Sequence, residues 1–461
     1  MFVFVMKLTI KQGLSGLVPA VVLCICISPM QAASPEYRAG AAAVDITPVE
    51  PIRLSGYASR TKPSEGVLTQ IHAKALAITR GKREQVVLIT TDLIGLPRTI
   101  TDPVAARIQQ KYGLERAGIV FNSSHTHTAP YIQNNLSLLF ELPETEQRTV
   151  EAYAARLQEA LFEVAGRAIV DLSPVTITTG HGEAHFGINR RVMGPKGVSI
   201  GVNPEGPVDA EVPVMKIAGA DGKVKAVLFG YACHNTTLTG GNNAVSGDYA
   251  GYAQEAIEKA NPGATALFLM LTGADQNPNP RGTAALARQH GETLAAEVAR
   301  VLGGRQTLLH GPMKAAFRTV ELEFEANDRA TFEARLADSN PYRVRHAKAM
   351  LARMDTGQAI RRYPYPVQAI SFGGKFTLVT LGGEVVVDYA LAIKKAYPAA
   401  GVVVAGYSND VMAYIPSLRI LQEGGYEAFD SMYYYGLPAS WAPNTEEKIL
   451  ATVATVMKAT R

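Results

Sequence analysis

The chain has 461 residues, of which 47% are hydrophobic and 19% charged, a composition typical of a globular protein with a large core. Its formal net charge is +4, and it carries no dense run of Lys and Arg with interleaved aromatic residues, which argues against a nucleic-acid partner. The 3 cysteines exclude a disulfide framework, because two of them lie among the first residues, 1–33, and leave Cys233 alone. We expect Cys233 to be a buried apolar residue rather than a metal ligand or nucleophile.

Residues 1–33 have the pattern of an export signal. Lys7 and Lys11 supply a positive end, and the apolar run over 17–27 is short for a membrane span. Pro29 ends that run, and small residues suited to cleavage follow it. We predict a signal peptide over 1–33, a mature domain over 34–461, and a periplasmic or secreted protein. The alternative is an uncleaved N-terminal anchor.

Apolar periodicity predicts strands and helices that alternate along the chain. The stretch 190–209 is rich in Gly and Pro, so we predict a loop there, and we also place the aromatic cluster 433–435 in a loop. No linker divides the mature chain, which favours an α/β fold: one large domain of mixed β-sheets flanked by helices. The predicted strands are 44–48, 73–79, 85–90, 119–121, 173–179, 226–232, 266–271, 317–324, 367–372, 376–381 and 402–405, and the predicted helices are 103–112, 149–165, 251–260, 284–301, 329–354, 387–397 and 445–458.

Four of these strands lead into potential metal ligands. Open α/β sheets collect chemistry at the carboxyl ends of their strands. Two or three His with one Glu and an open coordination position describe a catalytic zinc site, so the pattern predicts a metal-dependent hydrolase. In chain order the candidate residues are His125 and His127, then His234, then Glu384, then Asn409, Asp410 and Tyr414.

Each candidate has a plainer interpretation when it is taken alone. His125 and His127 stand at i and i+2, on one face of an extended segment, where both bind a metal or one binds it and the other moves protons. The alternative is a pair of polar loop histidines. His234 alone reads as a core histidine, Glu384 as a solvated carboxylate and Tyr414 as a packing residue. Glycines at 382 and 383 predict close approach of a metal or substrate beside Glu384.

Taken in order, these motifs resemble the catalytic domain of the neutral/alkaline non-lysosomal ceramidases, without that family's C-terminal domain. The family consists of zinc amidases that cut N-acylsphingosine to fatty acid and sphingosine. The segments that carry the resemblance are Gly40–Pro48, the His-Thr-His segment, Asn189-Arg190, His234, Ser246-Gly247-Asp248, the loop Asp275–Asn279, Gly383-Glu384, Ser408–Tyr414 and Tyr426-Glu427.

The resemblance implies a role for each candidate. By it, His125, His234, Glu384 and Tyr414 would hold Zn²⁺, and a zinc-bound water would attack the amide. His127 would serve as general base or acid, and Arg190 would stabilise the oxyanion. Asn277 stands where the family loop Gly-Asp-X-Ser-Pro-Asn has its serine, and an Asn can donate a hydrogen bond but cannot be a nucleophile.

The expected substrate is an N-acyl lipid such as ceramide, and peripheral contact with a membrane is left open. Two alternatives stand beside it: a zinc esterase or amidase acting on a non-lipid acylated substrate, and a catalytically dead binding homologue. The polar loop Gly273–Pro280 lines a pocket or forms a structural turn, and composition does not decide between the two.

Overall fold

Strands and helices alternate through the chain, as the apolar pattern predicts. The computed structural model describes residues 36–461, so the predicted signal peptide lies outside the described residues. The described elements are β1 Tyr37–Asp45, β2 His72–Arg80, β3 Glu84–Thr91, α1 Arg98–Tyr112, β4 Ile119–Ser123, α2 Glu144–Val170, β5 Ser173–Glu183, β6 Gly187–Gly194, β7 Gly197–Asn203, β8 Glu211–Gly219, β9 Val224–Tyr231, α3 Asp248–Ala260, β10 Thr265–Met270, β11 Gln276–Pro278, α4 Ala284–Gly303, β12 Thr307–Leu308, β13 Met313–Glu323, α5 Arg329–Arg335, α6 Pro341–Asp355, β14 Arg362–Phe372, β15 Phe376–Leu381, β16 Glu384–Val385, α7 Val387–Ala396, β17 Val402–Ala405, β18 Tyr414–Ile415, α8 Leu418–Glu423, α9 Met432–Tyr435 and α10 Thr445–Ala459.

Two large mixed sheets form the frame of the described residues. The first has the strand order β10-β9-β8-β5-β1-β2-β3-β4, with β12 beside β5, and the second has the order β13-β14-β15-β17. The pairs β9–β10, β3–β4 and β15–β17 are parallel, while the other pairs in these two sheets are antiparallel. This architecture confirms the predicted α/β fold with several sheets flanked by helices.

The two sheets pack face to face between outer helices. Leu76 and Leu228 of the first sheet share a core with Ile370 and Val403 of the second. The outer face of β9 and β10 packs on α3 and α4, and α1 and α2 cover β2 and β3. Strands covered on both faces need continuous apolar residues, which is why 226–232 and 266–271 show no polar alternation.

Asn122 joins strand ends that are far apart in the order of the first sheet. Its side chain accepts from Met270 N at 2.8 Å and donates to Met270 O at 3.1 Å, so it bonds β10 as another strand would. The same amide donates to Gly406 O, just after β17. The sheet therefore curls until the ends of β4, β10 and β17 meet, which brings the candidate ligands together.

Three predictions of local structure are wrong. The stretch 190–209 is a loop only over 204–209, because residues 190–203 lie in the hairpin of β6 and β7, with its turn at 195–196. Alternating Val192, Val198 and Ile200 supply the strand pattern that the glycines obscured. The segment 433–435 lies in the short helix α9, and 329–354 is two helices, since Pro341 starts α6.

Residues 35–461 form one compact unit. None of the helices within 36–461 is both long enough and apolar enough to cross a bilayer. Cys233 is buried, in agreement with the apolar role expected for it.

Candidate active site

Four buried side chains from separate strand ends converge on one point. Glu384 Oε2 lies 3.0 Å from His125 Nε2 and 3.3 Å from His234 Nε2. The Tyr414 hydroxyl lies 3.2 Å from His234 Nε2. Donor atoms about 2.0–2.1 Å from a tetrahedral zinc ion lie about 3.3 Å from each other, so these spacings fit zinc. The set of two imidazoles, one carboxylate and one phenol also suits that ion chemically.

Backbone carbonyls fix the orientation of both imidazoles. His125 Nδ1 lies 2.5 Å from Ile94 O, and His234 Nδ1 lies 2.8 Å from Gly273 O. A carbonyl only accepts hydrogen bonds, so each Nδ1 carries the proton and each Nε2 turns its lone pair to the cluster. The neighbouring Thr126 and Thr128 hydroxyls bond to Ser246 O and do not orient the rings.

The charge states also suit a metal. Burial, helped by the Arg190 guanidinium, lowers the pKa of His234 to about 4, so its imidazole is neutral at pH 7. Burial opposes ionisation of Glu384, but His125 and His234 hold the pKa of this carboxyl well below its ordinary value. A neutral His234 imidazole and an ionised Glu384 carboxylate are forms that bind a divalent ion.

His127 is the third imidazole at this point. Its Nε2 lies 3.1 Å from His125 Nε2, and one nitrogen from each of His125, His127 and His234 lies within 4.8 Å of the others. Gly56, at φ 88°, packs on its ring, where a Cβ would lie 2.4 Å from Nδ1. Burial, and then the two neighbouring imidazoles, lower the pKa of His127 well below its ordinary value. The geometry suits a metal ligand or a proton carrier.

Arg190 stands beside the ligand atoms on a rigid strand. It lies in β6, next to β11, and its backbone N donates to Asp275 O at 2.9 Å. Its guanidinium donates to the Tyr414 hydroxyl at 2.9 Å and to His234 Nε2 at 3.2 Å. Burial opposes its charge, but Tyr414 and Glu427 raise the pKa of Arg190 well above the ordinary value. A fixed cation therefore faces the cluster.

Sequence reasoning missed the residues that hold this cation and the carboxylate. Glu427 is buried and accepts from Arg190 Nε at 2.8 Å with one oxygen and from Arg191 with the other. The Tyr435 hydroxyl donates to Glu384 Oε1, and the Tyr407 hydroxyl lies 3.4 Å from Oε2. The cluster of aromatics at 433–435 was a signal for Tyr435, although we had placed it in a loop.

Two residues at the fourth strand end do not reach the cluster. Asn409 bonds to Gln368 and Arg116, and Asp410 bonds to Tyr363. The glycines beside Glu384 were expected to allow close approach of a metal or substrate, but the structure shows a different close contact. At Gly383, with φ 72°, a Cβ would lie 2.6 Å from Ala413 O, so the glycine admits the backbone of the neighbouring segment.

A pocket with a volume of about 260 Å³ opens onto the cluster. Asn277 lines it, and its Oδ1 accepts from Thr236 Oγ1 at 3.3 Å and from Arg190 at 3.4 Å. The loop Gly273–Pro280 therefore lines a pocket, one of the two alternatives that its composition allowed. Besides the cluster, the lining residues are Gly56, Tyr57, Ala58, Ile94, Leu136, Leu139, Arg190, Ile200, Thr236, Asn277, Arg281, Tyr426 and Tyr434.

An α/β fold with such a donor set beside a pocket is typical of a metal-dependent hydrolase. The family described as neutral/alkaline non-lysosomal ceramidase, N-terminal, matches residues 37–314. This chain belongs to that family, as the sequence motifs had indicated.

Individual relatives agree with this assignment. The neutral ceramidase of Pseudomonas aeruginosa is 24% identical over 282 residues, which are 58% of this chain and 41% of that protein. The Drosophila melanogaster neutral ceramidase is 25% identical over 242 residues, 49% of this chain and 32% of that protein. The chain thus spans less than half the length of these curated relatives.

A solved structure shares the fold. The crystal structure of neutral ceramidase from Pseudomonas aeruginosa matches with a TM-score of 0.69 at 20% identity, covering 93% of this chain and 75% of that one. At this identity the likeness establishes the common fold alone.

Proposed function

We propose that the protein is a zinc-dependent hydrolase that cleaves the amide bond of an N-acyl lipid, with ceramide as the reference substrate. Membership of the ceramidase family supports the amide. The observation that carries the proposal is the convergence of Glu384 Oε2 on His125 Nε2 and His234 Nε2 at 3.0 and 3.3 Å.

His125, His234, Glu384 and Tyr414 would hold the ion. Bound there, zinc supplies a Lewis acid that polarises a carbonyl group and lowers the pKa of water to about 7. The ligand set opens on a pocket, where water could bind as a fifth ligand, and this access supports a catalytic rather than a structural site.

Three further residues of the pocket act on the amide. Arg190 presents a charged guanidinium where an oxyanion develops, a contribution of a few kcal/mol in comparable sites. Asn277 adds its amide nitrogen, which donates to no partner among residues 36–461. His127 is a neutral imidazole in the pocket wall and can take a proton from water and return it to the leaving amine.

The size of the pocket keeps one alternative substrate in view. A volume of about 260 Å³ lies just below the range of about 300–1,000 Å³ typical of ligand pockets. Such a space favours a compact acyl group, so a non-lipid acylated substrate stands as the second candidate. A binding homologue without turnover requires intact zinc binding and no hydrolysis of either class.

The test is release of fatty acid from N-acylsphingosine by the purified protein, before and after removal of zinc with a chelator. We expect release that stops on chelation and returns when zinc is restored. Release that persists in the metal-free protein would refute the zinc mechanism. No release from a zinc-loaded protein would exclude ceramide, and short N-acyl amides would then decide between the second candidate and a binding homologue.

We also infer that the protein is exported, on the basis of the signal pattern in residues 1–33. Mass spectrometry of the protein purified from the periplasm and the medium tests this. A mature chain that begins near Ser34 is expected, and a full-length chain retained with the membrane would favour the N-terminal anchor.

A further inference from the structure

A row of polar side chains runs from the candidate metal ligands to the exposed edge of the pocket. At its inner end Arg190 contacts Asn277 Oδ1 at 3.4 Å. Thr236 Oγ1 donates to the same oxygen at 3.3 Å, and Arg281 donates to Thr236 Oγ1 at 3.4 Å. Arg281 is exposed, while the inner residues are buried. The row gives the pocket one wall of hydrogen-bonding groups, ending in a cation.

The backbone holds Arg281 at this edge from both sides. The carbonyl of Pro280 lies 2.7 Å from Nε2 of His290, which is a residue of α4. On the other side Gly282 N donates to Thr237 O at 2.7 Å. Only the side chain of Arg281 is therefore free to adjust, and it starts from a fixed point beside the pocket.

The guanidinium of Arg281 has no acidic partner within residues 36–461, and its recorded hydrogen bond to Thr236 is long. Arg190, by contrast, is paired with Glu427 through its Nε at 2.8 Å. The outer cation thus keeps most of its donors for a ligand. An acyl chain needs apolar surface instead, and the same pocket provides it through Ile94, Leu136 and Leu139.

We infer that Arg281 is a specificity-determining residue that binds an anionic group on the amine part of the substrate. The inference rests on the proposed amide hydrolase function and narrows its substrate class to amides with an anionic amine part, which ceramide itself does not have. A pocket of about 260 Å³ has room for a compact acyl group, so the remainder of the substrate would lie at the mouth, against Arg281. The planar guanidinium binds carboxylate and phosphate in the same bidentate manner, and both are included.

The experiment compares three amides that share one acyl group. N-hexanoylglycine carries a carboxylate, N-hexanoyl phosphoethanolamine carries a phosphate, and N-hexanoylglycinamide is neutral. Binding is measured by calorimetry and hydrolysis by amine release, on the zinc-loaded wild type and on the variants Arg281→Gln, Arg281→Lys and Arg305→Gln. Arg305 is an exposed arginine outside the pocket lining, so its variant makes the same charge change elsewhere.

We expect the wild type and Arg305→Gln to bind an anionic amide more tightly than the neutral one by about tenfold or more. Arg281→Gln should reduce that ratio by about tenfold, and Arg281→Lys should keep part of it. Whichever of the carboxylate and phosphate amides binds more tightly identifies the anionic group that the site selects. Equal ratios in the wild type and Arg281→Gln would overturn the inference.

The two proposals fail in distinguishable ways. If zinc-dependent hydrolysis occurs but the ratio does not depend on Arg281, the anion site is wrong and the amide hydrolase stands. If binding of the anion depends on Arg281 but no amide is hydrolysed, the anion site stands and the proposed activity is wrong.

Discussion

The inner end and the outer wall of the pocket are held in different ways. At the inner end, His125 and His234 are oriented by the carbonyls of Ile94 and Gly273 at 2.5 and 2.8 Å. In the outer wall, Thr236 Oγ1 donates to Asn277 Oδ1 at 3.3 Å and accepts from Arg281 at 3.4 Å. Carbonyls at strand ends move only with the sheets, whereas long side-chain hydrogen bonds are weak and easily rearranged.

This difference separates the chemistry from the choice of substrate. Metal ligands need positions fixed to a fraction of an ångström, and backbone hydrogen bonds provide them. An outer wall that is only loosely bonded tolerates substitution without disturbing the ligands. Asn277, in place of the family serine, stands where the two regions meet, since it contacts both Arg190 and Thr236.

The largest effect is expected from removing a ligand at the inner end. His234→Ala and His125→Ala should each lose bound zinc and fall to background turnover, because each deletes one donor atom of the proposed ligand set. Zinc content and fatty acid release are measured together. His185→Ala removes an exposed histidine and is the matched control. A His234→Ala protein with full zinc and full turnover would refute the site.

A substitution of His127 tests whether this residue is a metal ligand or a proton carrier. If Glu384 is the third ligand, His127→Ala should retain zinc and lose rate by roughly 10² or more, as for a general acid or base. The measurement is kcat together with zinc per chain. Loss of zinc would instead make His127 a ligand, an outcome that its place within 4.8 Å of the other imidazoles allows.

Glu427 tests whether the cation at the inner end depends on its partner. Glu427→Gln leaves Arg190 buried without its counter-charge, so we expect kcat to fall by about 10² with zinc retained. Glu423→Gln is the control, since Glu423 bonds Arg191 at 2.9 Å and does not touch Arg190. An unchanged kcat in the folded Glu427→Gln protein would show that Arg190 is held by its strand alone.

The sequence predicted the side chains at the inner end of the pocket because they follow the carboxyl ends of strands, where open α/β sheets place their functional residues. Continuous apolar runs located β4, β9, β15 and β17, and each of these four strand ends leads to one of the four converging side chains. It did not reach Asn122, because a lone buried Asn in a strand looks like any other polar residue until β10 and β17 are known to meet it.

The supports of Arg190 and Glu384 were missed for a related reason. Glu427 and Arg190 are 237 positions apart, and no local pattern pairs them. The hairpin of β6 and β7 was read as a loop because its glycines outweighed alternating Val and Ile. Contacts between distant segments depend on the packed sheets, so their partners become visible only in the fold.

His346 connects α6 to the segment just after α9, and acid should weaken this connection. Its Nε2 lies 2.7 Å from Leu437 O, two residues after α9, where Tyr434 lines the pocket. The pKa of His346 is lowered to about 4, mainly by burial and further by the charges of Arg335 and Arg353. The neutral form is therefore favoured in the folded protein.

The pKa of His346 in the folded protein lies below its unfolded value of about 6.5. The contribution of His346 to the free energy of unfolding is therefore complete above pH 6.5 and is lost as the pH falls towards 4. Between pH 7 and pH 5 this residue should account for about 2 kcal/mol of the loss in the free energy of unfolding. His346→Gln keeps a donor for Leu437 O but does not titrate, so urea unfolding at the two pH values should differ less in the variant by that amount. Equal losses of the free energy of unfolding in both proteins would mean that the segment after α9 is held independently of His346.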